Sequence, residues 1–241
     1  MAPTFRTGVL GGTFDPIHVG HLALASEARR ALALDEVLLL PLRVPAHRPI
    51  EPIASPMDRL AMADLAAKGS GEPFRASGIE LTRPGPSYTA DTLRALHAAG
   101  YESWQLFFLT GADAFADIST WREYPALLDL AHFVACSRPG WPVAELPARL
   151  PALAGRMAGV TATTPHSGAI SPETGQTRIF LLDLVTPDVA STTIRARARA
   201  GQPIADLVPP EVDHYIHRHG LYGTPSVPGS AGWSAANHLH E

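Results

Sequence analysis

Eleven residues near the N-terminus have the types and spacing for phosphate chemistry: Gly11, Gly12, Thr13, Phe14, Asp15, Pro16, Ile17, His18, Val19, Gly20 and His21. They follow the apolar pair Val9-Leu10 and read as a buried strand, a glycine turn and a helix start carrying two histidines. Glycines let backbone N–H groups approach an anion closely, and a helix N-terminus favours negative charge. Val19 and Gly20 separate the histidines, a spacing that puts both on one side of a first helical turn. A Gly-Gly pair alone would be an ordinary packing turn. Joined to Thr-Phe-Asp-Pro and His-Val-Gly-His in one window, it specifies a phosphate site.

A second cluster lies far along the chain: Ala190, Ser191, Thr192, Thr193, Ile194 and Arg195. Ser191 or Thr192 can cap a helix and present N–H groups to phosphate, and Arg195 adds a guanidinium that binds phosphate bidentately. Read alone, Ser-Thr-Thr is an ordinary cap. One familiar phosphate device is excluded. Lys68 is the sole lysine and precedes Gly69 at the end of an apolar-periodic helix, so no P-loop is present. Arginine has to do any phosphate clamping that lysine does elsewhere.

Strands and helices alternate around these clusters. Strands are expected at 7–10, 36–40, 104–109, 132–136 and 179–184, with extended segments at 74–81. Helices are expected at 19–33, 56–68 and 91–99. Ser55 is the N-cap of the second of these and Gly69 its stop; Gly100 ends the third. The βαβα order predicts an α/β fold with a parallel, doubly wound sheet. Ligands in such sheets bind beyond the carboxyl ends of strands, and polar clusters fall there: 11–21, 41–48 and 110–113. Residues 139–178 fit the alternation poorly and suggest a short helix with long loops. The tail 223–241, small, polar and Pro/Gly-rich, is expected to be disordered, leaving 1–222 as the working domain.

The bulk numbers agree with a globular protein of one large domain, or of one domain with an appendage. The 241 residues are 46% hydrophobic and carry a formal net charge of -4. No Lys/Arg block marks a nucleic-acid surface, and no run has the length or apolarity of a membrane span or a signal segment. Cys136 is the single cysteine, which excludes an intrachain disulfide framework and a cysteine zinc site. A cytoplasmic setting is the simplest expectation. The oligomeric state is not written in the sequence, and a homo-oligomer stays open.

The string 11–21 resembles the signature of the nucleotidylyltransferase superfamily, with its His-x-Gly-His hallmark, and residues 189–195 resemble its C-terminal Ser-Thr-x-Ile-Arg mark. Within that superfamily the chain resembles the bacterial nicotinate-nucleotide adenylyltransferases over most of residues 6–223. The resemblance is carried by Pro45-Ala46-His47-Arg48, by Ser87-Tyr88-Thr89-Ala90-Asp91-Thr92-Leu93, by Gly111-Ala112-Asp113 with Trp121 and Arg138-Pro139-Gly140, and by Val208-Pro209 through Tyr215-Ile216. Ala46 replaces a proline, Arg48 a lysine and Ala190 a serine of the family pattern.

The resemblance implies a Rossmann-like α/β fold with a small C-terminal helical part. It also implies adenylyl transfer from ATP to nicotinate mononucleotide, with Mg²⁺ carried mainly on the ATP phosphates and no protein metal site. His18, His21 and Arg195 would be catalytic. Gly11, Gly12, Thr13, Phe14, Gly111, Asp113, Ser191 and Thr192 would join them in binding ATP. Arg195 and the N–H groups of 191–193 would hold the β- and γ-phosphates, and Asp113 could accept from a ribose hydroxyl. His47, Arg48, Ser87, Tyr88, Thr89 and Trp121 would bind the nicotinate nucleotide. Here Trp121 offers a ring face, and Thr89 a hydroxyl and helix-terminal N–H groups for the carboxylate. Thr89 and Asp113 could equally be helix caps, and Trp121 a core residue. The same chemistry on nicotinamide mononucleotide or phosphopantetheine is the near alternative. A non-catalytic nucleotide sensor is a remote one, disfavoured by the presence of both histidines and Arg195.

Overall fold

The computed structural model describes residues 5–46, 51–138, 140–160 and 176–224. Among these residues seven strands form one sheet: β1 (Thr7–Gly12), β2 (Glu36–Pro41), β3 (Phe74–Ala76), β4 (Leu106–Gly111), β5 (His132–Cys136), β6 (Met157–Val160) and β7 (Ile179–Leu182), in the order β3-β2-β1-β4-β5-β7-β6. Among the described residues seven α-helices accompany them: α1 (Val19–Leu32), α2 (Pro56–Gly69), α3 (Thr89–Ala98), α4 (Ala112–Ala116), α5 (Leu146–Arg149), α6 (Ser191–Arg199) and α7 (Pro210–Arg218). The pairings β1–β4, β4–β5, β5–β7 and β6–β7 are parallel. This is the Rossmann-like α/β fold expected, with α6 and α7 as its C-terminal helical part. The strand order reverses at β1, the kind of switch point where such sheets bind ligands.

The chain divides into two compact units: Met1–Gly11, Leu24–Leu38 and Tyr88–Thr186 form one; Gly12–Ala23, Leu39–Ser87 and Pro187–Glu241 form the other. The first has an aromatic core. Phe107 stacks near Phe180 with centroids 6.0 Å apart, and His132 lies 4.8 Å from Phe107 and 5.6 Å from Phe180. The apolar runs Leu106–Leu109 and Phe133–Cys136 are fully covered, as parallel strands require. Cys136 is buried among them, and burial pushes its thiol up to about 12, which makes it a packing residue rather than a reactive one.

In the second unit Ser55 caps α2 as expected, accepting the Asp58 N–H at 3.1 Å with Pro56 in the first turn. Tyr215 of α7 donates to the Asp58 carboxylate of α2 at 3.0 Å.

Several boundaries differ from the sequence reading. Gly69 is the last residue of α2 and not its stop; Ser70 is the C-cap and Gly71 takes the left-handed conformation. Only Phe74–Ala76 of the segment 74–81 is a strand, because Leu81 N–H turns back onto the Gly78 carbonyl. Trp104 lies outside β4, and β7 ends at Leu182. Helix α3 starts two residues earlier than expected. Strand β6 was not foreseen: Met157-Ala158-Gly159-Val160 has little β-branched character and draws its extended form from the register with β7. From residue 225 on, the tail lies outside the described residues.

His132 has a thermodynamic consequence. Its Nδ1 accepts the Arg178 N–H at 2.9 Å, and burial first of all lowers its pKa from 6.5 to about 4. Between those values the unfolded chain binds more protons, so stability falls as pH drops from 6.5 towards 4. At pH 5 the His132 contribution to that loss is about 2 kcal/mol. Urea unfolding of wild type and His132→Asn at pH 7.5 and 5 is expected to show a pH drop smaller by roughly that amount in the variant. Equal drops would contradict a buried neutral His132.

Candidate active site

Phosphate-type residues gather in the second unit, and a single glycine starts the arrangement. A Cβ at Gly12 would lie 2.5 Å from Cε1 of Phe14, so only glycine leaves room for that ring. Phe14 is 1% exposed and takes a positive φ of 50°. Its ring meets the His21 ring edge-on at 5.0 Å, and His21 stacks on His18 at 3.6 Å with planes 25° apart. Gly20 serves the same stack, since a Cβ there would be 3.1 Å from the Pro187 carbonyl and 3.2 Å from the His18 ring. The His18 N–H donates to His21 Nδ1 at 3.3 Å. That bond makes Nδ1 an acceptor and places the ring proton of a neutral His21 on Nε2. The spacing that suggested two histidines on one side of a helical turn thus resolves into a stacked pair.

Asp15, 3% exposed, follows the turn. Its Oδ2 accepts the Ile53 N–H at 2.8 Å, and its Oδ1 accepts the Ala54 N–H at 3.0 Å and the Tyr222 hydroxyl at 2.8 Å. Burial, then the Asp15 charge, pushes the Tyr222 phenol well above its ordinary range, so it stays a donor. The guanidinium of Arg59 is wholly buried. It donates to the carbonyls of Thr13 (2.7 Å), Leu42 (2.5 Å), Arg43 (3.1 Å) and Ala54 (3.3 Å). Burial lowers its pKa while the Asp15 charge opposes that shift. One arginine therefore binds the signature turn and both described ends of the loop that follows β2.

The C-terminal cluster joins this group through backbone carbonyls. Ser191 Oγ donates to the Pro16 carbonyl at 3.0 Å, across 175 residues of sequence, and Arg195 Nη1 donates to the Asp15 carbonyl at 2.6 Å. Ser191 and Thr192 do not cap α6. The N-cap is Ala190, whose methyl group makes no side-chain bond, and Ser191 is already the first residue of the helix. The Thr193 N–H is also committed, donating to the Ala190 carbonyl at 3.0 Å. That removes it from the set of N–H groups expected to hold phosphate.

The residues expected around nicotinate divide. Ser87, in the second unit, accepts the Arg43 N–H on its hydroxyl at 3.0 Å and donates its own N–H to the Val44 carbonyl at 2.8 Å. It braces the loop after β2. Tyr88, Thr89 and Trp121 belong to the first unit. Tyr88 is the N-cap of α3 and Thr89 its first residue, so Thr89 is not the cap. Trp121, half-buried, meets Phe108 edge-on at 6.2 Å. Its neighbour Arg122 lies 4.9 Å over the Tyr88 ring and pairs with Asp91 at 3.1 Å. Gly111 is the N-cap of α4, and Asp113, in its first turn, lies 3.6 Å from Arg138. His47 and Arg48 lie outside the described residues.

Arg59, Tyr222 and Arg122 were not found from sequence. Arg59 directly precedes the apolar run Leu60-Ala61-Met62-Ala63 but shares α2 with Asp58, Asp64 and Lys68, so nothing local sets it apart from a surface charge. Tyr222 sits between Gly220 and Gly223, punctuation that marks a turn but not the bond its hydroxyl makes.

Comparison with known proteins places the chain. Residues 9–197 match the family model "Cytidylyltransferase-like", and the chain belongs to that family of nucleotidyltransferases. Its branch is given by curated relatives. The chain is 44% identical over 220 residues to the probable nicotinate-nucleotide adenylyltransferase of Roseiflexus sp. (strain RS-1), covering 89% of this chain and 96% of that one. It is 40% identical over 219 residues to that of Desulfatibacillum aliphaticivorans, covering 90% and 99%. It is thus a member of the nicotinate-nucleotide adenylyltransferase family. The fold is also similar to that of Plasmodium falciparum nicotinic acid mononucleotide adenylyltransferase complexed with APC. That match has a TM-score of 0.65 and 16% identity, and it covers 90% of this chain and 97% of that one. Among the described residues no helix is long and apolar enough to cross a membrane.

The Gly12–Phe14 contact predicts a defect at one methyl group. Gly12→Ala forces a fully buried ring to move, an overpacking that costs about 1–3 kcal/mol. Its thermal midpoint is expected to fall accordingly. An unchanged midpoint would show that the Phe14 ring has room to yield.

Proposed function

We propose that this chain transfers the adenylyl group of ATP to nicotinate mononucleotide, giving deamido-NAD and pyrophosphate in NAD biosynthesis. One observation carries the chemical part of the reading. Two phosphate-type clusters, far apart in sequence, are bonded together through Ser191 to Pro16 and Arg195 to Asp15. The acceptor follows the relatives' names and the residues Tyr88, Thr89 and Trp121.

The acceptor phosphate is already ionised near neutral pH, so it needs no general base. One of its oxygens forms the new bond to the α-phosphorus, the α–β bridging bond breaks, and the electron pair leaves on pyrophosphate. Catalysis is then positioning and charge stabilisation. His21, with its ring proton on Nε2, donates to a phosphate oxygen near the breaking bond, and the stacked His18 fixes its plane. Arg195 holds the terminal phosphates in a planar fork, with the N–H groups of Ser191 and Thr192 beside it. Thr89 receives the nicotinate carboxylate at the start of α3, and Trp121 offers its ring.

Among the described residues no group of three His, Cys, Asp or Glu side chains could hold a metal ion, and the Asp15 carboxylate is filled by hydrogen-bond donors. Mg²⁺ carried on the ATP phosphates would neutralise charge on the triphosphate.

The test is pyrophosphate release with ATP and, in parallel, nicotinate mononucleotide, nicotinamide mononucleotide and phosphopantetheine. Turnover is expected with the nicotinate nucleotide foremost. Preference for either other acceptor overturns the substrate assignment. His21→Ala is expected to lose roughly 10²–10³ in turnover with its thermal midpoint kept; unchanged turnover removes His21 from the chemistry.

A further inference from the structure

Arg195 lies beside a buried carboxylate that could capture it. Opposite charges 3.7 Å apart attract strongly away from bulk water. Yet the guanidinium donates to the backbone carbonyl of Asp15 and stays outside hydrogen-bond distance of Oδ2. The carboxylate is satisfied from other directions. Two of the donors described above are backbone N–H groups, of Ile53 and Ala54, and the third is the Tyr222 hydroxyl. Tyr222 comes from the turn Leu221–Gly223, is 5% exposed and takes a left-handed φ of 59°. The nearby Arg59 spends its N–H groups on four carbonyls, so it offers Asp15 charge without a bond.

We propose that the Tyr222 hydroxyl is a positioning group for the phosphate site. By occupying Oδ1 it keeps the Asp15 carboxylate from turning onto Arg195, and the guanidinium stays available to an anionic triphosphate. This rests on the reading of Arg195 as a triphosphate ligand. Tyr222→Phe keeps the ring and its packing but leaves Oδ1 one donor short. Asp15 then closes on Arg195, and a triphosphate has to break that pair before it binds. A triphosphate that must first break this pair is expected to bind roughly 5–10-fold more weakly, the size of one ordinary net hydrogen bond. Turnover at saturating ATP should stay within about twofold, and KM for the acceptor should not move, because no transition-state contact is removed.

The experiment is titration calorimetry of the full chain with α,β-methylene-ATP in the absence of acceptor. The comparison variant is Thr224→Val. The Thr224 hydroxyl shares its one proton between the carbonyls of Ile216 (3.1 Å) and Leu221 (2.9 Å), anchoring the same turn away from Asp15. The expected result is a several-fold weaker analogue affinity in Tyr222→Phe, with wild-type affinity and a lower thermal midpoint in Thr224→Val. Wild-type affinity in Tyr222→Phe overturns the proposal. Equal weakening in both variants also overturns it, since the effect then belongs to docking of the turn. No binding of the analogue to the wild type overturns both this inference and the phosphate role of Arg195. Tight analogue binding, together with no pyrophosphate release when ATP itself and nicotinate mononucleotide are supplied, defeats the reaction assignment alone and leaves the comparison of variants decisive.

Discussion

The Asp15 carboxylate ties together stretches of chain that are otherwise independent. It takes backbone N–H groups from Ile53 and Ala54, just before α2, and a hydroxyl from Tyr222 near the end of the described chain. Its own main-chain carbonyl holds Arg195, and the next carbonyl, that of Pro16, holds Ser191. The phosphate-type side chains are therefore fixed relative to the signature turn by atoms of the turn itself.

Burying that carboxylate near the guanidinium of Arg59 is an expensive way to make a core. Each ion gives up several kcal/mol of hydration, and hydrophobic groups of the same volume would often serve stability as well. What the pair supplies is geometry. Arg59 reads four carbonyls from three segments with one rigid fork, and Asp15 reads three donors from two. Such fully satisfied groups permit one arrangement of the turn and its neighbours, as a site that must meet a triphosphate within a fraction of an ångström requires. The aromatic stack completes it: Gly12 admits Phe14, Phe14 meets His21, and His21 lies on His18.

Much of this was legible in the sequence, for definable reasons. Local signals were strong where one short segment does the work. The glycine turn and its histidines, the Ser55 cap of α2 and the apolar strands β4 and β5 follow from spacing and composition, and the α/β class follows from their alternation. Illegible features depend on contacts between distant segments. Strand β6 exists through its register with β7. Ser191 looked like a cap but stands one residue inside α6, and the partner of its hydroxyl, the Pro16 carbonyl, comes from the other end of the chain. Arg59 and Tyr222 carry no local motif at all, and their roles appear only once Asp15 is folded beside them.

The central claim is that the stacked histidines and Arg195 form one triphosphate site, with Asp15 holding the frame rather than touching the nucleotide. A crystal structure of the protein with α,β-methylene-ATP and Mg²⁺ tests it most directly. The account predicts phosphate oxygens within hydrogen-bond distance of His21 Nε2 and of the Arg195 guanidinium, with Asp15 still bonded to Ile53, Ala54 and Tyr222. A triphosphate bound away from these groups, or a metal ion coordinated by Asp15, would contradict it.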